Sequence, residues 1–301
     1  MSLSITSLNK LSFILILSIS AFLSSCGKQE CINVKNYYDY DIDLPLKDSV
    51  LHTDTIDNYV MRKISYYSVH NKKVIALLSI PEEVKNPVPV IILLHGVGDR
   101  KTVDYIQAGH DFYIKKGYAV FRIDIANHGE RIEDNYEVDF TGNRKFWARD
   151  LMAQTVFDLR RGIDLINKIH EVDGNRIGFY GVSLGGFIGT VFCGVDDRVK
   201  VPVIALAGGG INIFWGTKAL TSEAKNYFSI IDPLNFVEMI SPRPLLMINA
   251  SNDEIVPPLT SKRLYHAAKE PKHIIWYESK HRDLPIDKAY QEGLEWYKKY
   301  L

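Results

Sequence analysis

The segment Gly181-Val182-Ser183-Leu184-Gly185-Gly186 carries the strongest chemical signal in the chain. It follows a strand-type run, Arg176–Tyr180, and opens a helical pattern. A strand that turns sharply into a helix at a serine presents the hydroxyl and crowds the backbone around it. Gly181 and Gly185 leave room for that approach. Ser183 would then sit at a helix N-terminus, where free backbone N–H groups favour developing negative charge. The Leu184 N–H is one candidate oxyanion donor. The chemistry on offer is attack by Ser183 on an acyl carbon.

A serine hydroxyl is a poor nucleophile until a base takes its proton. His281 lies in Glu278-Ser279-Lys280-His281-Arg282-Asp283, and Asp253 in Asn249-Ala250-Ser251-Asn252-Asp253-Glu254-Ile255-Val256-Pro257. Both segments follow late strand candidates. His273, starting a strand, and His266, in a helix, are alternative bases. Glu254, one residue out of register, and Asp232, in a helix-capping context before Pro233, are alternative acids. A second oxyanion donor is expected in the loop after the strand Val88–Leu94, in His95-Gly96-Val97-Gly98. The Val97 N–H is preferred and the Gly96 N–H is the alternative, with His95 holding the loop by a ring nitrogen. His128 and Arg131, in Asp124-Ile125-Ala126-Asn127-His128-Gly129-Glu130-Arg131, are candidates to reach a substrate, with loop stabilisation as the alternative, and Phe146-Trp147 and Phe214-Trp215 are candidates to line a substrate pocket, with core packing as the alternative. No H-E-x-x-H, C-x-x-C, phosphate loop or dinucleotide fingerprint is present, so the expected chemistry calls for no metal and no cofactor.

These residues need strands and helices to hold them. Strand patterns fall at Ile64–His70, Lys73–Ile80, Val88–Leu94, Tyr118–Asp124, Arg176–Tyr180, Val201–Ala207, Leu245–Ala250 and His273–Tyr277, with Asn71-Lys72 as a hairpin turn. Helical patterns fall at Val103–Lys116, Ala148–His170, Leu184–Phe192, Ser261–Lys269 and Ile286–Tyr300. Val88–Leu94 is continuously apolar, as a strand buried on both faces should be. The alternation predicts an eight-stranded, mostly parallel α/β sheet with helices on both faces. Gly208 to Ile240, after the sixth strand, is longer than a normal crossover. It reads either as a small insertion near the mouth of the site or as an ordinary crossover with a long loop.

The chain of 301 residues is 46% apolar and 24% charged, ample for a core. Thirty-six basic residues balance 36 acidic ones, so no basic excess draws nucleic acid. Lys10 precedes an apolar run, Leu11 to Leu23, too short for a comfortable span and typical of an export signal. Leu23-Ser24-Ser25-Cys26 resembles the lipobox of bacterial lipoproteins. That resemblance implies a signal over residues 1–25, lipidation of Cys26, and a membrane-anchored domain facing the periplasm or cell surface. Residues 26–57 read as tether and lead-in, and 58–301 as the catalytic domain. Cys193, in a helical pattern, reads as a small buried hydrophobe.

From about Val60 to Leu301 the chain resembles the α/β-hydrolase superfamily, nearest its dienelactone-hydrolase and prolyl-oligopeptidase-like esterase branch. The Ser183 turn, His95-Gly96, the Asp253 loop with its Val256-Pro257, and His281 match in type and order. The resemblance implies a Ser183–His281–Asp253 triad, an oxyanion hole from the Val97 and Leu184 amides, and a small-molecule ester substrate. It departs in lacking an N-terminal propeller, which sets peptidase activity behind esterase activity. The competing expectations are a serine peptidase or amidase, and an inactive tethered binding protein on the same fold.

Overall fold

The computed structural model describes residues 34–82, 86–133 and 138–301. The expected signal over residues 1–25 and the lipidation residue Cys26 lie outside the described residues.

The strands are β1 (Ser49–Ile56), β2 (Tyr59–Tyr67), β3 (Lys73–Pro81), β4 (Val88–Leu94), β5 (Ala119–Ile123), β6 (Val172–Val182), β7 (Val199–Ala205), β8 (Leu245–Ala250) and β9 (Lys272–Tyr277). They form one sheet in the order β1-β2-β3-β5-β4-β6-β7-β8-β9. β1, β2, β3 and β5 pair antiparallel in turn, and from β5 to β9 every pairing is parallel.

The apolar run of β4 is explained by its two covered faces. Val90, Ile92 and Leu94 enter one core and Ile91 and Leu93 the other. Helices α1 (Asp104–Ile114) and α6 (Ile286–Tyr300) cover the second face, where Tyr113, Tyr180, Tyr290 and Tyr297 pack together. Helices α2 (Lys145–Ile166), α3 (Leu184–Val195), α4 (Ser222–Phe228) and α5 (Pro258–Ala267) contribute to the first. Cys193 is fully buried in α3.

Among the described residues the sheet has nine strands rather than the eight expected, and the lead-in is not all tether. Residues 49–56 form β1, paired to β2 through the Asp57-Asn58 turn. Its first five residues are exposed, so Ser-Val-Leu-His-Thr has no core face and hence no apolar alternation to read. Upstream, Tyr38 is wholly buried and donates to the Ile230 carbonyl at 2.6 Å. Residues 34–57 therefore belong to the folded domain. The β2–β3 connection is a 3₁₀ turn, Val69–Asn71, with His70 and Asn71 at positive φ, rather than a two-residue turn at Asn71-Lys72. β2 accordingly starts and ends earlier than the apolar pattern suggested.

Between β7 and β8 the chain forms a 3₁₀ turn (Ile211–Lys218), α4, and two short turns (Pro233–Asn235 and Val237–Ile240). Asp232 pins this insertion: its carboxylate accepts from the Gly210, Ile211 and Leu234 N–H groups at 2.9 to 3.1 Å. Because β4, β6, β8 and β9 are parallel, the loops after them all emerge at one edge. Those loops carry Val97, Ser183, Asp253 and His281.

Candidate active site

Ser183 joins β6 to α3 with φ 55° and ψ −120°, a region that costs a non-glycine residue about 1–3 kcal/mol. The surrounding packing holds it there. A Cβ on Gly181 would lie 2.3 Å from the Gly185 carbonyl oxygen, and one on Gly185 would lie 2.5 Å from those of Leu94 and His95. The two glycines let α3 press against the end of β4, and the Ser183 N–H is tied to Ala205 O at 2.9 Å. The Leu184 N–H, in the first turn of α3, lacks an intrahelical acceptor by helix geometry.

His281 Nε2 lies 3.0 Å from Ser183 Oγ, and His281 Nδ1 lies 2.7 Å from Asp253 Oδ2. A carboxylate only accepts, so Nδ1 carries the hydrogen and Nε2 is left to accept from the serine hydroxyl. Asp253 Oδ1 takes the N–H groups of Ile255 and Val256 at 2.9 and 2.7 Å, so the tight loop before Pro257 aims the other oxygen at the imidazole. Asp253 and His281 are buried and Ser183 is half-buried. The alternatives fall elsewhere. Glu254 accepts from the His281 backbone N–H, and Asp232 holds the insertion. His273 stacks on Trp296.

The loop after β4 is fixed from three sides. His95 Nδ1 donates to Gly96 O at 2.7 Å while Nε2 accepts from Ile125 N at 3.0 Å. Burial pushes this imidazole down to about 4, so it stays neutral and keeps both bonds. Lys101 forms a buried ion pair with Asp124 at 2.5 Å. The Gly96 N–H donates to Tyr105 Oη at 2.7 Å, and Tyr105 donates to Asp99 Oδ2 at 2.8 Å. Gly96 is thus committed, which removes it as an oxyanion donor and leaves Val97, exposed beside Ser183, as the candidate. Tyr105 had no signal in the sequence; its role depends on α1 lying against this loop.

An apolar pocket of about 160 Å³ opens beside Ser183 and Leu184. Phe140, Met152, Phe187, Ile211 and Phe214 form much of its wall. Of the pocket residues named from the sequence, Phe214 lines it, whereas His128, Phe146, Trp147 and Trp215 do not. His128 is buried, with Nδ1 donating to Ala126 O at 3.0 Å, and it shapes its own loop. Trp215 donates to Phe140 O at 2.6 Å and packs on Tyr227 and Phe228. Its ring supports the wall while its neighbour Phe214 faces the pocket and stacks on Phe140 at 6.1 Å. The lining residues are scattered from 97 to 256, and only the fold collects them.

A second Ser–His–Asp alignment exists. Ser79 Oγ lies 2.8 Å from His110 Nε2, and His110 Nδ1 lies 2.7 Å from Asp111 Oδ1. Ser79 and His110 are fully buried between β3 and α1, so no substrate reaches them.

The fold, with its serine at a strained strand-to-helix turn and the loops that meet it, defines an α/β-hydrolase. Residues 31–206 match the acetyl xylan esterase (AXE1) family, and the chain belongs to that family. Among curated relatives, protein YfhR of Escherichia coli is 27% identical over 153 residues, covering 48% of this chain and 52% of YfhR. The acetyl esterase Axe7A of Xylanibacter ruminicola is 25% identical over 250 residues, covering 73% of this chain and 54% of Axe7A. The chain thus spans about half the length of these relatives. Among solved structures, the acetyl xylan esterase from Paenibacillus sp. R4 superposes with a TM-score of 0.73 at 19% identity, covering 89% of this chain and 91% of that one. Acetyl xylan esterase 1 from Thermoanaerobacterium sp. JW/SL YS485 gives 0.71 at 16%, covering 89% and 93%. At these identities the likeness is one of fold.

Proposed function

We propose that this chain hydrolyses carboxylic esters through an acyl-enzyme on Ser183, with His281 as general base and acid and Asp253 as its orienting partner. The observation that carries the reading is the continuous Asp253–His281–Ser183 contact, 2.7 and 3.0 Å, ending on a half-buried hydroxyl beside an apolar pocket. Membership of a family named for acetyl xylan esterase supports esters over amides and makes acetylated sugars a natural substrate class.

In the proposed cycle Ser183 Oγ attacks the ester carbonyl as its proton passes to His281 Nε2. The oxyanion faces the Val97 and Leu184 amides, and Asp253 stays ionised and stabilises the imidazolium. The imidazolium then protonates the departing alkoxide. Water enters, gives a proton to His281, and displaces the acyl group as carboxylic acid, returning the proton to Ser183.

Ser183→Ala is expected to lower kcat on the order of 10⁶-fold and to abolish fluorophosphonate labelling. A loss under about tenfold, or undiminished labelling, would assign the chemistry to another residue. Faster turnover of an aminoacyl p-nitroanilide than of p-nitrophenyl acetate would move the reading to an amidase.

The residue pattern from Lys10 to Cys26 supports export and lipid tethering at Cys26. Cys26→Ser should then abolish labelling by a radioactive fatty acid and release the protein from membranes. Labelling that survives the substitution would remove this part of the proposal.

A further inference from the structure

We infer that Glu254 is a positioning residue for His281: it fixes the main chain of the histidine whose ring Asp253 orients. The inference rests on the reading of His281 as general base and adds how that base is kept within reach of Ser183.

Three observations carry it. The first is a donor that needs a partner. His281 opens the 3₁₀ turn His281–Asp283, so its own N–H has no acceptor inside the turn. Glu254 Oε2 accepts from it at 3.3 Å. The second is where the histidine loop is tied down. The Ser251 N–H donates to Tyr277 O at 2.8 Å and the Asn252 N–H to Ser279 O at 3.1 Å, which stitches the two loops together only as far as Ser279. Beyond Ser279, among the described residues, the hydrogen bonds across to the acid loop are those of Asp253 to the ring and Glu254 to the backbone. The third is that these two carboxylates are sequence neighbours on one loop, which the Ile255 and Val256 N–H groups pin through Asp253 Oδ1. They grip one histidine at two points, Nδ1 and the main-chain N. A single grip would leave the imidazole free to pivot about it. Two grips set where Nε2 lies, 3.0 Å from Ser183 Oγ.

Proton transfer needs the heavy atoms within about 2.6–3.2 Å, so this distance has little slack. A misplacement of about 1 Å costs on the order of 100-fold in rate. The pocket wall and the oxyanion amides face the substrate and Glu254 does not, so the loss falls on kcat rather than KM. Glu254 is exposed, and water screens its charge. Its reach and its acceptor oxygen therefore matter, and its charge does not.

The test compares Glu254→Gln, Glu254→Asp and Glu254→Ala in steady-state turnover of p-nitrophenyl acetate. Gln keeps an acceptor at the same reach and should stay within about twofold of wild type. Asp keeps the charge but falls one methylene short, and Ala keeps neither. Both should lose about 5- to 50-fold in kcat with KM within about twofold. The low-field proton resonance of His281 Nδ1–H gives an independent readout, sharp in wild type and Glu254→Gln and broadened in Glu254→Ala. Glu254→Ala with kcat within twofold of wild type, or with an unbroadened resonance, overturns the inference. So does Glu254→Asp retaining activity while Glu254→Gln loses it, since charge would then be the cause. Fluorophosphonate labelling of Ser183 separates this from the reading beneath it. Labelling as fast in His281→Ala as in wild type would overturn the assignment of the base and the inference with it. Labelling that is slow in His281→Ala but at the wild-type rate in Glu254→Ala overturns the inference alone.

Discussion

Tyr105→Phe removes one oxygen and leaves the ring in place, and it isolates the contribution of the loop after β4. The oxygen accepts from the Gly96 N–H at 2.7 Å and donates to Asp99 at 2.8 Å. Burial raises the Tyr105 phenol above its ordinary value, so it remains a donor across the working pH range. Without it the Gly96 N–H, which is buried, has no acceptor. An orphaned buried amide costs about 1–3 kcal/mol. The loop can lower that cost only by rotating the Gly96 peptide, and the Val97 N–H follows directly in the chain. An oxyanion donor is worth about 3 kcal/mol in the transition state and little in the ground state. Partial misplacement should therefore lower kcat about 10- to 100-fold and leave KM within about threefold. Tm should fall by roughly 2–10 °C, from the same 1–3 kcal/mol on a domain of this size. Steady-state kinetics on a p-nitrophenyl ester and a thermal melt measure both. A variant that melts earlier with kcat within twofold of wild type would show that Tyr105 stabilises the loop without positioning the donor.

Stability should fall with acidification between about pH 6.5 and 4. His95 and His110 are both pushed down to about 4 by burial, so the unfolded chain binds their protons first; each then contributes about 1.4 kcal/mol per pH unit within that window, present above 6.5 and lost through 4. Urea midpoints that stay flat from pH 6.5 to 4.5 would contradict this. Gly185→Ala forces a methyl to within 2.5 Å of two carbonyl oxygens, so α3 must retreat; a loss of about 1–3 kcal/mol and at least tenfold in kcat is expected, read by melting and turnover. Asp232→Ala strips three N–H groups of their acceptor and should cost more than about 2 kcal/mol, read by a thermal melt; an unchanged melting temperature would contradict it. Ser79→Ala should retain ester turnover and fluorophosphonate labelling, because its serine never meets substrate; loss of labelling with an unchanged melt would point to Ser79 instead.

The sequence was most legible where a local constraint dictates residue type. A serine held at φ 55° between a strand and a helix needs glycines on either side, and both stand at fixed spacing. The Asp253 loop is similarly local, since the carboxylate binds N–H groups two and three residues ahead. The strands buried on both faces were legible from their apolar runs. What stayed hidden was long-range. β1 offers no apolar alternation because it lies at an edge with little core contact. Tyr105 meets Gly96 only through the packing of α1. His128 and Trp215 were reasonable pocket residues by type, but each turns its polar nitrogen to a backbone carbonyl, and the ring behind it becomes a support. Of the pocket wall only Phe214 was legible, from its aromatic type, because the other wall residues have no common spacing.

The two Ser–His–Asp alignments show why side-chain contact alone does not define a site. In Ser79–His110–Asp111 the distances are 2.8 and 2.7 Å, as short as the 3.0 and 2.7 Å of Ser183–His281–Asp253. A base poised on a hydroxyl is therefore present in both. Ser79 lies on a regular strand with its amide and carbonyl in the β2–β3–β5 ladder, and no helix begins beside it. Ser183 ends its strand, starts a helix and leaves the Leu184 N–H without an intrahelical partner. The polar order also differs. The His110 acid is half-exposed on the same helix as its histidine, whereas Asp253 is buried and fixed by two amides of its own loop. Access, an N–H group beside the serine without an intrahelical partner, and a carboxylate that cannot swing away set the Ser183 alignment apart from the buried one. All three trace back to loops that leave parallel strands at the same edge of the sheet.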